Sequence, residues 1–482
     1  MAISVSALKY NYVSIQSPNS GKKAIDLSSH LIHTEYFEDL LSPVITMRMK
    51  IRSEFNYIAN VPIRGGEMIA FSADVGGTTI TFGEIDGSDI VPNSGELYVY
   101  KVSDLSSPSQ AQDFILNITS LEFFKNETSR CQFKFKSQSI DKHVRQILGP
   151  NVMNVNPDKI LDKNIEETDN TYSFIGNNRK PFYTIEWLCP KSIGGGSKQG
   201  VSGEGNTAQG TGTAGFLFYE NREGFNFKSI TSLVKSTTLK SNSKKAVFSY
   251  FYRGQGGAES SDKLSENLNM IFFHLNKSTD VRKALSTGQY GSLTIFYNSL
   301  TQKFSQIEYR LEKEVEDSKL GSEEDLSTPK GLDQYNSRLY SIVSDHGTLG
   351  VGEKGLEDSG RDPVDHAKAI SRYNALFSQS LNIQVPCNTN LKVGDIINLT
   401  FPELSGGKSK KIDQSMSGNY LISRLNHHIQ PNASFSSLNL IRDSYGYASA
   451  YPVDTLQSGG DQEDGKSGSN NNTAIPNLPY LK

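Results

Sequence analysis

Residues 391–401 read LKVGDIINLTF, residues 417–429 SGNYLISRLNHHI and residues 434–443 SFSSLNLIRD. Each contains a strand. Ile396–Phe401 is an apolar run of strand length, and Gly394-Asp395 ahead of it suits a tight turn. Tyr420–Leu425 and Ser437–Ile441 are two further short runs with strand character. The N-terminal part of the chain repeats this segment. Ile63–Phe71 (IRGGEMIAF) lies over Leu391–Leu399, Gly95–Val102 (GELYVYKV) over Gly418–Leu425, and Leu116-Asn117-Ile118 over Leu438-Asn439-Leu440. One such block alone is common turn chemistry ahead of a strand. Three in the same order at similar gaps indicate an internal duplication of a small β-domain. Gly66 and Gly394 fall at the same point of the repeat, one residue before an acid that opens an apolar strand. Both are expected to be structural turn positions with positive φ.

Around these blocks the chain reads mostly as strands. Tyr10–Gln16 alternates, Pro18-Asn19-Ser20-Gly21 is a turn cluster, and Lys23–Leu27 returns as a hairpin partner. Val44–Ile51 and the runs near Ile69, Ile80, Tyr98, Leu116 and Phe133 follow at short spacing, which indicates an antiparallel barrel or sandwich. At Ser139 the period changes. Ile140, Val144, Ile147 and Leu148 share one helix face, with Ser139 as N-cap and Gly149-Pro150 as stop. Pro181–Cys189 is apolar and holds Trp187, and Gly194–Gly215 is a Gly/Ser/Thr-rich loop. Residues 216–230, FLFYENREGFNFKSI, read as a strand, a turn and a strand entering a helix near Ser229–Lys235. Val247–Tyr252 is another strand; Leu268–Leu275 and Val281–Leu285 fit helix or strand equally. Leu293–Tyr297 and Phe304–Tyr309 form a hairpin, read as opening a second β-domain as Tyr10–Leu27 opens the first. Glu312–Asp362 is acidic, then Ser/Gly/Asp-rich, with a weak helix near Tyr335–Val343. A helix over Pro363–Ser380 follows, capped by Asp362, and Leu381–Pro386 re-enters the sheet.

A length of 482 residues predicts two to four domains. Lys+Arg number 49 against 52 Asp+Glu, a net charge of −3, so no basic field advertises nucleic acid. Cys131, Cys189 and Cys387 are isolated, with no C-x-x-C pair, which suits a reducing compartment. The N-terminus lacks a basic-then-apolar signal, and no apolar run reaches the length of a membrane span.

No motif assigns a catalytic, cofactor-binding or metal-binding residue. Gly460–Ser467 fits G-x-x-x-x-G-K-S, but no strand precedes it, no helix follows it, and three carboxylates would repel a phosphate. His30-x-x-His33 and His427-His428 have no neighbouring Cys, and the second pair points to opposite faces of a strand. The acidic runs Glu312–Asp317 and Glu323-Glu324-Asp325 read as solvated linker rather than paired catalytic carboxylates.

FLFYENREGFNFKSI resembles the hallmark stretch of the baseplate central hub proteins of contractile-tailed, T-even-type bacteriophages. Gly288–Ser292 before the Leu293 hairpin is similar to that family too. So is the helix followed by VPCNTNLKVGDIINL, SGNYLISRLNHHI and LIRDSYG. The likeness covers most of residues 1–445. It departs at Cys387, where a small residue such as Gly is expected, and gives nothing for residues 194–215 or for the tail from Gly446.

The resemblance implies an α+β, mainly β fold: two similar antiparallel tube-type β-barrels plus a mixed α/β middle domain. Residues 1–134 are then the first barrel, 135–284 the middle domain, 285–318 and 378–445 the second barrel, 319–377 a partly helical insert, and 446–482 a disordered tail. It also implies a homotrimer between the tail tube, or a tube-initiator protein, and the central spike protein, surrounded by baseplate wedge proteins. The genome would pass through its channel without specific binding, and no membrane insertion is implied. The expected place is the virion's tail baseplate, after assembly in the host cytoplasm, and the expected role is structural rather than enzymatic. A different class of reading is a tail-associated carbohydrate-binding or cell-wall-degrading protein, with the 22 Tyr lining a glycan groove. Tyr and Phe are equally at home on β-surfaces and at interfaces.

Overall fold

Alternation of apolar and polar residues dominates the chain, and the fold is α+β, mainly β, with large antiparallel sheets. The computed structural model describes residues 8–444, apart from 19–22, 93–94, 108–110, 195–213, 235–245, 253–267, 278–279, 299–301, 311–334, 345–361, 403–411, 414 and 432. The N-terminal part supplies β1 (Leu8–Gln16), β2 (Ala24–Asp26), β3 (Leu31–Asp39), β4 (Thr46–Ser53), β5 (Met68–Val75), β6 (Thr78–Phe82), β7 (Ile85–Asp86), β8 (Asp89–Ile90), β9 (Leu97–Ser106) and β10 (Gln112–Ser120). The middle supplies β11 (Lys134–Ser139), β12 (Thr171–Ile175), β13 (Phe216–Asn221) and β14 (Gly224–Ser229). The rest supplies β15 (Phe248–Phe251), β16 (Phe272–Lys277), β17 (Gly291–Asn298), β18 (Lys303–Arg310), β19 (Arg338–Ser344), β20 (Gln379–Pro386), β21 (Ile396–Thr400), β22 (Gly418–Ile429) and β23 (Phe435–Arg442).

One sheet gathers fourteen of these strands, and it is built from two like units. The first runs β3-β4-β10-β9-β5-β1, the second β16-β20-β23-β22-β21-β15. The repeat holds residue by residue. Met68 faces Tyr98 and Ile69 faces Leu97; Ile396 faces Leu421 and Ile397 faces Tyr420. Leu116, Asn117 and Ile118 face Val102, Lys101 and Val99; Leu438, Asn439 and Leu440 face Leu425, Arg424 and Ile422. Each of these ladders skips one residue at the same place, Tyr100 in one unit and Ser423 in the other. The hydrogen bonds beside the turns repeat as well. Gly66 N–H donates to Val99 O (2.7 Å) and Val99 N–H to Glu67 O (2.9 Å), while Gly394 N–H donates to Ile422 O (3.1 Å) and Ile422 N–H to Asp395 O (3.0 Å). The sixth strand breaks the likeness: β1 is antiparallel to β5, whereas β15 is parallel to β21.

Three cores follow. The first unit buries Val13, Ile15, Met47, Met49, Phe71, Leu116 and Ile118. The second buries Leu381, Ile383, Ile396, Leu399, Leu421, Leu438 and Leu440. The middle buries one face of helix Ile140–Leu148 with the aromatics of β13 and β14. A fully buried side chain of this kind contributes about 1.5–3 kcal/mol.

Several local expectations change. The hairpin β17–β18 does not open the second unit. It pairs with β19 in a separate three-stranded sheet. Its place is taken by β15 and β16. Periodicity identifies a strand but not its partner, and the buried face of β17 (Ser292, Thr294, Phe296) is used against helix Asp362–Leu376. The segment read as a weak helix near Tyr335–Val343 contains β19. Residues 268–275 lead into strand β16, and Val281–Thr287 is a helix capped by Asp280. Ser139 makes no capping bond to helix Ile140–Leu148; Thr168 Oγ1 instead accepts from Asp141 N–H at 3.1 Å. The Gly/Ser/Thr-rich loop, most of the acidic insert, the tail and the Gly460–Ser467 match lie outside the described residues.

Gly66 and Gly394 have φ of +88° and +89°. A Cβ at Gly66 meets nothing within 4 Å, whereas one at Gly394 collides with Tyr219 Oη in the second core. Gly66→Ala is therefore expected to cost about 1 kcal/mol of backbone strain. Gly394→Ala is expected to cost about 1–3 kcal/mol more, from overpacking. Urea unfolding checks both, and Tyr219→Phe should recover part of the second loss but none of the first.

Candidate assembly interface

The two units meet where β22 borrows a strand from the other end of the chain. Residues 418–421 of β22 pair with β21, and residues 424–429 pair on the same edge with β3. The register runs from Arg424 opposite Asp39 to Ile429 opposite Thr34. Side chains secure both faces. Arg424 Nε lies 2.8 Å from Asp39 Oδ2, and His428 Nδ1 lies 3.4 Å from Glu35 Oε1. On the core face His427 stacks on Tyr36, with ring centroids 5.9 Å apart. His427 Nδ1 stands 2.8 Å from Ser436 Oγ, and burial pulls this imidazole down to about 3, so it is neutral at ordinary pH.

Outside the joint, the sheet is concave. A groove of about 800 Å³ crosses it, floored by Arg48, Asn382, Arg424 and Asn439, with Tyr100 at one rim and Phe272 and His274 at the other. Among the described residues both rims are open edges: β16 ends the sheet, and on its β5 side β9 is paired only from Leu97 to Val99.

Hairpin β13–β14 wedges between the units. Its turn requires Gly224 (φ +116°), where a Cβ would collide with Lys159 O. Glu38, buried at the end of β3, accepts from Arg222 N–H (2.9 Å), Val393 N–H (2.8 Å) and Tyr36 Oη (2.7 Å). It thus touches the first unit, the hairpin and the second unit at once. Burial pushes its carboxyl up to about 7, against three donors that favour the charged form. On the other side of the hairpin, Lys159 Nζ pairs with Glu122 (2.7 Å) and Glu220 (3.0 Å), and Glu220 also accepts from Ser120 Oγ (2.7 Å) and Ile45 N–H (3.1 Å). Burial works against the Lys159 ammonium, but Glu220 and Glu122 hold its pKa above the usual lysine value.

Of the histidine pairs, His427 is buried and His428 half-buried on opposite faces of β22, and His30 contacts Ser29 and Tyr57. Among the described residues, no group of three or more His, Cys, Asp or Glu stands close enough to hold a metal ion. No described helix is long and apolar enough to cross a membrane. Sequence reading missed Glu38, Glu220 and Lys159. Their single-residue signals are ordinary, and only the folded chain brings them together.

Two outcomes follow from these buried charges. Glu38 binds its proton more tightly when folded, so stability is expected to fall as pH rises from 4.5 to about 7, by about 3 kcal/mol, and then to level off. Glu38→Gln should flatten that slope in denaturation measured from pH 4 to 8. Lys159→Met leaves two buried carboxylates without their cation and is expected to cost about 3–5 kcal/mol at pH 7.

No family model matches the chain. Among curated proteins it is 22% identical over 331 residues to a probable baseplate hub protein of Vibrio phage KVP40, covering 66% of this chain and 69% of that one. Solved structures with a related course include a tail protein of Neisseria meningitidis MC58, at 10% identity and a TM-score of 0.47, covering 92% of this chain and all of that one. A 43 kDa tail protein of prophage MuSo2 from Shewanella oneidensis aligns at 11% identity and a TM-score of 0.44, covering 90% of this chain and 98% of the other. In sequence, this chain is similar to a baseplate hub protein of a T4-like phage.

Proposed function

We propose that the chain is a structural hub of a phage-tail baseplate, a homotrimer whose six like β-units form a nearly sixfold ring. The observation that carries this reading is the repeat of strand order and register in two units that share one sheet. Three copies around one axis place six similar units in a circle. Such a ring is threefold in chain identity and nearly sixfold in shape. One face suits a sixfold tail tube or tube-initiator protein, the other a threefold central spike protein, with wedge proteins outside. The concave groove, of mixed charge and lined by polar and apolar side chains alike, would line a channel through which the genome passes without specific binding. The balanced charge of the chain suits complementary interfaces rather than one strong field.

In this reading residues 1–134 form the first tube-type barrel and 378–445 the second, to which the middle domain (135–284) lends β15 and β16, while β17 and β18 of 285–318 stand in their own sheet beside it. The described part of the insert, β19 and helix Asp362–Leu376, sits outside the ring with the middle domain. The protein works in the virion's tail baseplate, is assembled in the host cytoplasm, and does no chemistry of its own. Native mass and an image down the particle axis test this. Three chains and six lobes around an open channel are expected. A monomer or dimer that persists at high concentration with spike protein added overturns it.

A further inference from the structure

We infer that copies of this chain join edge to edge, β16 of one against β9 of the next, in a register copied from the β3–β22 joint inside each chain. The inference rests on the ring proposed above and fixes how its copies meet. By position in the repeat, β9 is the counterpart of β22 and β16 the counterpart of β3. Inside the chain the far half of β22 is covered by β3. The far half of β9 has no strand against it among the described residues, and the outer edge of β16 is likewise unpaired. Large apolar side chains stand at both edges: Leu105 is 55% exposed and Phe272 51%. An open edge with such residues is a ready template for another strand. Both edges are on every copy, so their pairing is head-to-tail, the kind of contact that closes into a ring.

Register supports the match. In the internal joint Asn426 faces Phe37 and His428 faces Glu35, with one residue on each strand between them, His427 and Tyr36. On β9 the counterparts of Asn426 and His428 are Ser103 and Ser106, which face Ile115 and Asp113 of β10 as Asn426 and His428 face Ser437 and Phe435 of β23. On β16 the counterparts of Phe37 and Glu35 are Lys277 and His274, which face Ser380 and Asn382 of β20 as Phe37 and Glu35 face Thr46 and Arg48 of β4. Two residues now lie between the counterparts on each strand, Asp104 and Leu105 on β9, Leu275 and Asn276 on β16. Each strand has thus gained one residue at the same rung, and Asp104 has the positive φ (+54°) of an irregular strand. A bulge in one strand alone would slide the ladder and turn its side chains to the wrong face. Matching bulges keep it in step: Ser103 opposite Lys277, Asp104 opposite Asn276, Leu105 opposite Leu275, Ser106 opposite His274. At the rung where the internal joint stacks His427 on Tyr36, the joint between copies sets Leu105 against Leu275, which already packs on the second core.

The test uses the full chain. Opposed strand residues have Cβ atoms within disulfide reach after small adjustment. Leu105→Cys with Leu275→Cys is expected to give, under mild oxidation, covalent species of two and three chains on a non-reducing gel. Leu105→Cys with Phe273→Cys, two residues out of step, should give several-fold less. Leu105→Asp should lower the native mass to one chain while leaving the circular dichroism of the folded chain unchanged. A wild-type trimer whose Leu105→Cys/Leu275→Cys variant gives no cross-link between chains, or whose Leu105→Asp variant still forms three-chain particles, overturns the edge pairing and leaves the ring. Cross-links confined to single chains overturn it as well. A wild-type chain that never assembles, even with spike protein, overturns the ring itself.

Discussion

The short ladder between Arg424–Ile429 and Thr34–Asp39 is the constraint on which this architecture depends. It joins strands from opposite ends of the chain and merges two units into one sheet. On its core face the rings of His427 and Tyr36 stack out of reach of water, and the imidazole stays neutral because charging it there is costly. On its groove face the ion pair of Arg424 with Asp39 is largely solvated and adds register more than stability. Without the ladder the two units would present two separate concave surfaces rather than one.

Hairpin β13–β14 depends on that merger, since the notch it fills exists only where the units meet. Its carboxylate-bearing contacts are costly to bury and weak as sources of net stability. Their value is positional. Glu38 accepts from the hairpin and from Val393 of the second unit, and Glu220 reaches back to Ile45 N–H of the first. A misplaced hairpin would take the Arg222 N–H from Glu38 and part Glu220 from Ile45 N–H, Ser120 Oγ and Lys159 Nζ, a state higher in energy than the correct one.

Much of this was legible in the sequence. The three repeated blocks predicted two like β-units, and the strands follow them down to the shared skipped residue between Lys101 and Val99 and between Arg424 and Ile422. The helix over residues 140–148 and the hairpin at residues 216–229 were legible for the same reason: their periods are local. What the sequence hid were choices of partner. β15 and β16 take places in the second unit that local alternation assigned to β17 and β18. β19 reads as a weak helix until β17 pairs with it. The buried charges were hidden too, because Lys159 and Glu220 are ordinary residues until the fold sets them 3.0 Å apart.

The order of the strands has a consequence for synthesis. Every strand of the first unit has left the ribosome once Ser120 emerges, so that unit can fold early from neighbouring pieces of chain. The second unit cannot. β15 and β16 must wait, unpaired, for strands that begin at Gln379, and the joint closes only when Ile429 appears. Contacts so distant in sequence form slowly. Throughout that wait the edge of β3 is bare, and every nascent chain on the same message exposes an identical one. Crowded translation is therefore the stage at which this molecule is most prone to pair with the wrong copy of itself.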